Sequence, residues 1–211
     1  MVEVLKNIHI IEQSRPGRIE LESYVLNCKE GVVIVDAGWD DEALEKIYKE
    51  IGSMGKTLED IKLCLISHRH GDHIGPLPKL RETTNAQIMA HEEEVSDIEK
   101  AKEIILDKGL KDGEILPFCG GIQIVHVPGH TKGNICLYLE DHNLMLANDT
   151  IFGNEDGNLI PPPERYCTDV QLAKKGIERL LDYDFDVLLI AHGKNILKDA
   201  KRLVTKLCQT S

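Results

Sequence analysis

The sequence predicts an α/β (α+β) chain, an αββα sandwich in which two mixed β-sheets are flanked by helices, forming one domain over residues 1–211. Three observations predict it. Apolar runs of strand length alternate with amphipathic stretches of helical period. Elements run strands, helix, strand, helices, then strands, helix, strand, helix, so the two halves resemble each other in element order though not in residues. No proline- or glycine-rich linker and no low-complexity segment separates two bodies.

Strands are expected at 4–11 and 21–28, on either side of the turn signal Ser14-Arg15-Pro16-Gly17, and at 32–36 after Lys29-Glu30-Gly31. Three strands joined this briefly make an antiparallel meander. Asp40 caps a helix running to about Met54, with Leu44, Ile47, Ile51 and Met54 on one apolar face and Gly55 to stop it. A buried strand at 62–67 enters His68-Arg69-His70-Gly71-Asp72-His73, and a short helix follows over 74–83. A strand at 87–90 precedes a helix that opens on Glu92, Glu93 and Glu94, where acids suit the positive end. Its stripe is Val95, Ile98, Ala101 and Ile105.

In the second half, a strand at 122–127 leads into Pro128-Gly129-His130-Thr131. A hairpin of 134–140 and 144–148 turns at Asp141-His142-Asn143 and ends on Asp149. Residues 150–167 form an irregular loop around three consecutive prolines, and a loop this long in a compact domain is often functional. Thr168 with Gln171 reads as a capping box, with Val170, Ala173, Ile177 and Leu180 as the helix face. A buried strand at 187–190 ends on Ala191-His192-Gly193, and Leu197, Ala200, Val204 and Leu207 define a terminal helix.

Composition bounds the function. Apolar residues make up 42% of 211, enough for a real core, and no apolar run reaches membrane-spanning length. A formal charge of −11 argues against a broad nucleic-acid footprint. The N-terminal residues carry no signal-peptide pattern, so a reduced cytoplasm is the expected location. The six cysteines form no C-x-x-C pair, and Cys28, Cys64 and Cys136, in expected strands, read as buried thiols rather than bridges. A homo-oligomer is left open, since an apolar helix face serves equally as core or interface.

Chemistry concentrates in His68-x-His70-x-Asp72-His73. Three imidazoles and a carboxylate at a strand-to-helix turn suit zinc, iron, manganese or nickel without any cysteine. His68 and His70, two apart on extended chain, point to one side, and Asp72 and His73 can face a different ion. His130, Asp149 and His192 each lie just beyond an expected strand, and glycines beside the two histidines let the backbone turn sharply. Seven residues of ligand type at strand ends would meet on one edge of a sandwich.

These residues resemble the metallo-β-lactamase superfamily, in the family's order from Asp36 in Val35-Asp36-Ala37-Gly38 to His192-Gly193. The resemblance implies the αββα fold and two divalent metal ions, zinc foremost with iron or manganese as alternatives. It implies one ion on His68, His70 and His130, the other on Asp72, His73 and His192, and Asp149 bridging both. Asn148 and Ala191 stand where the family usually has glycine, and neither change removes a ligand.

Within that family the motif and compact size are similar to the glyoxalase II-like hydrolases. This implies hydrolysis of a thioester, ester or lactone by a metal-bound hydroxide, since a metal lowers the pKa of bound water to about 7. Asp72 would hold or relay the proton, and Asp36 would orient a ligand; a turn aspartate at the strand end is an equal reading of Asp36. The alternatives are a mononuclear iron persulfide dioxygenase-like enzyme and a non-catalytic metal-binding protein. The stretch 150–156 departs from the glycine- and arginine-rich segment that holds glutathione in glyoxalase II, and Phe152 stands where related lactonases carry tyrosine. A small-molecule substrate is expected, with Lys132, Arg165 and Tyr166 as candidates to touch it. Of the other histidines, His9 is expected half-exposed on a strand, His91 on a helix-entry surface, His126 packed on a strand and His142 solvated.

Overall fold

The computed structural model describes residues 2–17 and 19–210. The chain divides into two compact units, Met1–Leu110 and Lys111–Ser211. The class is the expected one, two mixed sheets flanked by helices.

The first unit holds a seven-stranded sheet in sequence order: β1 (Val2–Leu5), β2 (Ile8–Gln13), β3 (Leu21–Cys28), β4 (Gly31–Val35), β5 (Ile61–Ile66), β6 (Gln87–His91) and β7 (Lys108–Leu110). Neighbours from β1 to β4 pair antiparallel, which gives the expected meander. From β4 to β7 they run parallel. Parallel strands end on the same edge, so the segments after β4, β5 and β6 emerge together there. The strand expected at 4–11 is two strands, because Asn7 takes a left-handed conformation (φ 66) that asparagine tolerates and folds β1 back on β2.

Helix α1 (Asp41–Ser53) starts as expected, with the Asp40 carboxylate accepting the Ala43 N–H at 3.0 Å. Its Leu44, Ile47 and Ile51 are fully buried in the unit's core beside Ile34, Cys64 and Ile88. The helix expected over 74–83 is interrupted. Helix α2 (Gly71–Ile74) already contains Asp72 and His73, and α3 (Leu77–Thr83) restarts after Gly75-Pro76. Gly75 donates its N–H to the Gly38 carbonyl at 2.9 Å, an approach so close that a Cβ on Gly75 would collide with the Trp39 carbonyl. Helix α4 (Glu92–Lys102) ends at Glu103 in a left-handed turn (φ 55). Ile105, placed on its apolar stripe by periodicity, therefore lies beyond the helix and is exposed.

The second unit holds a five-stranded sheet in the order β14-β11-β10-β9-β8. Its strands are β8 (Ile115–Leu116), β9 (Ile122–His126), β10 (Ile135–Leu139), β11 (Leu144–Asn148) and, after a small hairpin of β12 (Phe152–Gly153) and β13 (Leu159–Ile160), β14 (Val187–Ile190). Since β9 and β11 both pair antiparallel with β10, and β14 runs parallel to β11, the chain leaves β9, β11 and β14 at the same edge.

Helix α5 (Val170–Ile177) and helix α6 (Ala200–Thr210) pack Ile177, Val204 and Leu207 against that sheet. Leu197, expected on the terminal helix, precedes it and is exposed. The cap of α5 is Asp169, which accepts the Leu172 N–H at 2.9 Å, rather than Thr168. The Thr168 hydroxyl is engaged elsewhere, donating to the Gly129 carbonyl at 3.0 Å.

One cysteine expectation is corrected. Cys64 and Cys136 are buried free thiols, and burial pushes the first well up and the second up to about 12. Cys28, however, is disulfide-bonded, as is Cys119. A strand pattern registers burial and carries no trace of a partner sulfur distant in sequence. Among the described residues no helix is long and apolar enough to cross a membrane.

Candidate metal centre

In the first unit the β4 and β5 ends are stitched together before any ligand is placed. The Asp36 N–H donates to the Leu65 carbonyl at 2.9 Å. Its carboxylate accepts the Ser67 N–H at 2.8 Å and the Ser67 hydroxyl at 2.7 Å. Asp36 has a left-handed backbone (φ 61), which turns its side chain from the strand toward these donors. The same carboxylate oxygen meets Nδ1 of His73 at 2.8 Å. Two backbone bonds complete the frame: the Ala37 N–H donates to the His73 carbonyl, and the His73 N–H to the His70 carbonyl.

On this frame the structure brings together four of the expected ligands. Nε2 of His68 lies 3.0 Å from Nδ1 of His70, and Nε2 of His73 lies 3.7 Å from Oδ2 of Asp72. His68 and His73 are fully buried, and their rings sit 4.1 Å apart. Arg69, between the first two ligands, points to Glu94: its backbone N–H and guanidinium reach the two Glu94 oxygens at 2.9 and 3.2 Å. Glu94 is fully buried at the first turn of α4. The sequence singled out Glu94 only as a helix opener, since the contact spans 25 residues and leaves no local pattern.

In the second unit the other three ligands converge. Asp149 leaves β11 just after Asn148, whose left-handed backbone (φ 44) coincides with a register shift between β11 and β14. Asparagine adopts that conformation at little cost, which explains physically how it replaces a glycine. Oδ2 of Asp149 lies 3.3 Å from Nε2 of His130 and 3.6 Å from Nε2 of His192. Gly129 (φ 128) and Gly193 (φ 130) make the sharp turns expected beside those histidines. Nδ2 of Asn134 donates to the Val127 carbonyl and the Thr150 hydroxyl, tying the ends of β9, β10 and β11 together. Phe152 lies beside both imidazoles, stacked on His192 at 5.1 Å and tilted to His130 at 6.1 Å.

The donor chemistry fits divalent cations. Imidazole nitrogens and carboxylate oxygens dominate, buried in each unit and crowded at distances that leave like-polarity atoms facing each other unless a cation lies among them. Within each unit these histidine and aspartate side chains are of a type suited to divalent metal binding.

The substrate candidates are exposed side chains. Lys132 is exposed, and its carbonyl is 2.8 Å from Nε2 of His126. Arg165 and Tyr166 are exposed, with the guanidinium 4.7 Å above the Tyr166 ring. His126 and His142 are partly buried. Two bland expectations are corrected. His9 is buried rather than half-exposed, inside a sheet that continues past it to β1, and His91 is buried at the start of α4, where its ring accepts the Glu93 N–H at 3.4 Å.

The sequence profile of the metallo-beta-lactamase superfamily matches residues 22–192. A hydroxyacylglutathione hydrolase of Ectopseudomonas mendocina is 36% identical over 104 residues, 49% of this chain and 37% of that protein. An atrochrysone carboxyl ACP thioesterase of Claviceps purpurea is 29% identical over 144 residues, 66% and 43% of the two chains. The chain thus spans less than half the length of these curated relatives. Among solved structures, a metallo-beta-lactamase from Pontibacter korlensis superposes with a TM-score of 0.82 at 17% identity, covering 100% of this chain and 98% of that one. A metallo-beta-lactamase family protein from Thermus thermophilus gives 0.76 at 21% identity, covering 98% and 80%.

Proposed function

Because the chain belongs to the metallo-β-lactamase superfamily, we propose that it is a metal-dependent hydrolase of a thioester, ester or lactone, with two divalent ions, zinc foremost. In this reading the two units work as the one domain expected over 1–211, because neither alone carries the full ligand set. One ion would be held by His68, His70 and His130, the other by Asp72, His73 and His192, and Asp149 would serve both. The observation that carries the proposal is the meeting of His130 and His192 at the single oxygen Oδ2 of Asp149. The approach of His68 to His70 and of His73 to Asp72 within the first unit supports the assignment.

Such ions supply Lewis acidity toward a carbonyl and make water acidic enough to attack near neutral pH. The protein's share is positional. Asp36 holds His73 by Nδ1 and so leaves Nε2 as the donor atom. Asp72, with a side chain more exposed than that of Asp149, would hold a proton during attack or pass it to the leaving group. Lys132, Arg165 and Tyr166 would contact the substrate.

The thioester is favoured within the class because one relative is named for hydrolysis of an acylated glutathione and another for a thioesterase. The substrate is a small molecule rather than nucleic acid, in keeping with the −11 charge. The cytoplasm remains the proposed location, where the disulfide-bonded Cys28 and Cys119 would have to withstand a reducing environment.

The test is metal content of the purified protein with a screen of thioesters, esters and lactones. Near two ions per chain and turnover of one class, both reduced in Asp149→Ala, is the expected result. One iron per chain with oxygen uptake on persulfides would replace the hydrolase with a dioxygenase. Absence of bound metal after supplementation would remove every mechanism of this kind.

A further inference from the structure

In the second unit the segment Cys167-Thr168-Asp169, between the long loop and α5, folds back as a strap on the turn that carries His130. Three hydrogen bonds join strap to turn. The Thr168 N–H donates to the His130 carbonyl at 3.0 Å, the Asp169 N–H to the Gly129 carbonyl at 2.9 Å, and the Thr168 hydroxyl to that same Gly129 carbonyl at 3.0 Å. The Gly129 carbonyl belongs to the peptide group before the His130 Cα, and the His130 carbonyl to the one after it. The strap therefore restrains both soft backbone torsions of His130, and with them the direction of its Cα–Cβ bond.

The strap is itself anchored. The Asp169 carboxylate accepts the Leu172 N–H at 2.9 Å and so joins it to the start of α5. The turn sits directly against that helix: a Cβ on Gly129 would lie 2.1 Å from the Ala173 nitrogen. Turn, strap and helix end are thus in contact, with little room for the His130 backbone to shift.

The ring is bracketed as well. Nε2 of His130 lies 3.3 Å from Oδ2 of Asp149, and Nδ1 lies 4.0 Å from Sγ of Cys167. The Cys167 thiol donates to the Pro163 carbonyl at 3.5 Å, which leaves a sulfur lone pair facing Nδ1. An imidazole that keeps Nε2 free as a metal donor carries its proton on Nδ1, on the side of that sulfur.

We propose that Thr168 is a positioning residue of the metal centre: its amide and hydroxyl hold the peptide groups on either side of His130, so that Nε2 keeps its place beside Asp149. The proposal rests on the metal-dependent reading of the function and concerns the geometry of one ligand. Thr168 is an exposed residue, so a substitution there leaves the core intact.

The full-length protein is stripped of metal and titrated with cobalt(II), whose visible absorption bands report the geometry of its ligands. Thr168→Val keeps the side-chain shape and removes the hydroxyl. It is expected to weaken cobalt binding about three- to tenfold, the equivalent of one hydrogen bond, and to shift the bands of the loaded protein. Thr168→Ser, which restores the hydroxyl, is expected to recover both affinity and bands. Wild-type affinity in Thr168→Val would overturn the proposal, whatever happens to metal-free stability in urea. A weaker affinity with unmoved bands would also overturn it, since the strap would then support folding alone, as would a loss that serine does not restore. A wild-type protein that takes up neither cobalt nor zinc would remove the metal reading and this proposal together, whereas full uptake by wild type and by Thr168→Val alike would remove the positioning role alone.

Discussion

Oδ2 of Asp36 lies 2.8 Å from Nδ1 of His73, and both side chains are closed to solvent. The same carboxylate takes two hydrogen bonds from Ser67, the residue immediately before His68. One side chain therefore fixes the ring orientation of His73 and the backbone entry to His68. Partners of this kind are commonly worth 10–100-fold in metal affinity. Asp36→Asn keeps the shape and removes the charge, and it is expected to weaken metal binding by about that factor with the far-UV circular dichroism preserved. Competition titration against a chromophoric chelator measures it, and wild-type affinity would reduce Asp36 to a turn residue.

Glu94 grips Arg69 in the same region. Arg69 retains some solvent access, with a side chain 23% exposed, whereas Glu94 is fully buried. Its charge-assisted bonds, one from the Arg69 backbone, hold the peptide between His68 and His70. Hydrogen bonds to charged groups contribute about 1.5–3 kcal/mol. Glu94→Ala is expected to cost about that much, read as a lower urea midpoint at unchanged m-value, and to weaken metal binding as well. A loss of stability with metal affinity untouched would show that Glu94 anchors α4 without setting the ligands.

Much of this arrangement was legible in local sequence, and the illegible parts share one cause. The strands Leu21–Cys28 and Val187–Ile190 coincide with their apolar runs, and ligand-type residues at strand ends told where histidine and aspartate side chains would gather. The misreadings arise where a distant contact outweighs a local preference. Thr168 and Gln171 offer a capping box, yet the Thr168 hydroxyl is drawn to Gly129, 39 residues away, and Asp169 caps instead. The helical signal over 74–83 is broken at Gly75 because that residue must lie against Gly38 and Trp39. Glu94, Ser67 and the bonded state of Cys28 depend on partners that no periodicity encodes.

Asn148 offers a test of what its departure from glycine costs. Its backbone is left-handed (φ 44), its side chain is buried, and neither amide atom has a hydrogen-bond partner among the described residues. Glycine takes this conformation without strain, and removing an unmatched buried amide relieves a penalty of about 1–3 kcal/mol. Asn148→Gly is therefore expected to raise the thermal midpoint by several degrees. A fall would mean that the amide's packing against the β11–β14 bulge outweighs both terms.

Acid stability provides the last test, at the Asp107 carboxylate. Burial works to raise the Asp107 carboxyl, but hydrogen bonds from the Arg81 guanidinium at 2.6 Å and the Ile88 N–H at 2.7 Å prevail and hold it below its ordinary value. A carboxylate lowered in the folded state binds a proton more weakly there than in the unfolded chain, so the unfolded state gains on acidification. Its contribution is complete above the ordinary aspartate range near about pH 3.9 and is lost as pH falls through the lowered value. Urea unfolding from pH 6 to pH 2.5 should show wild type losing more stability than Asp107→Asn over the lower part of that range. The two proteins should run parallel above about pH 5, where the aspartate is ionised in both states. Equal acid sensitivity would mean that the Arg81 and Ile88 contacts do not favour the charged form, and that β6 is held at Ile88 by backbone pairing alone.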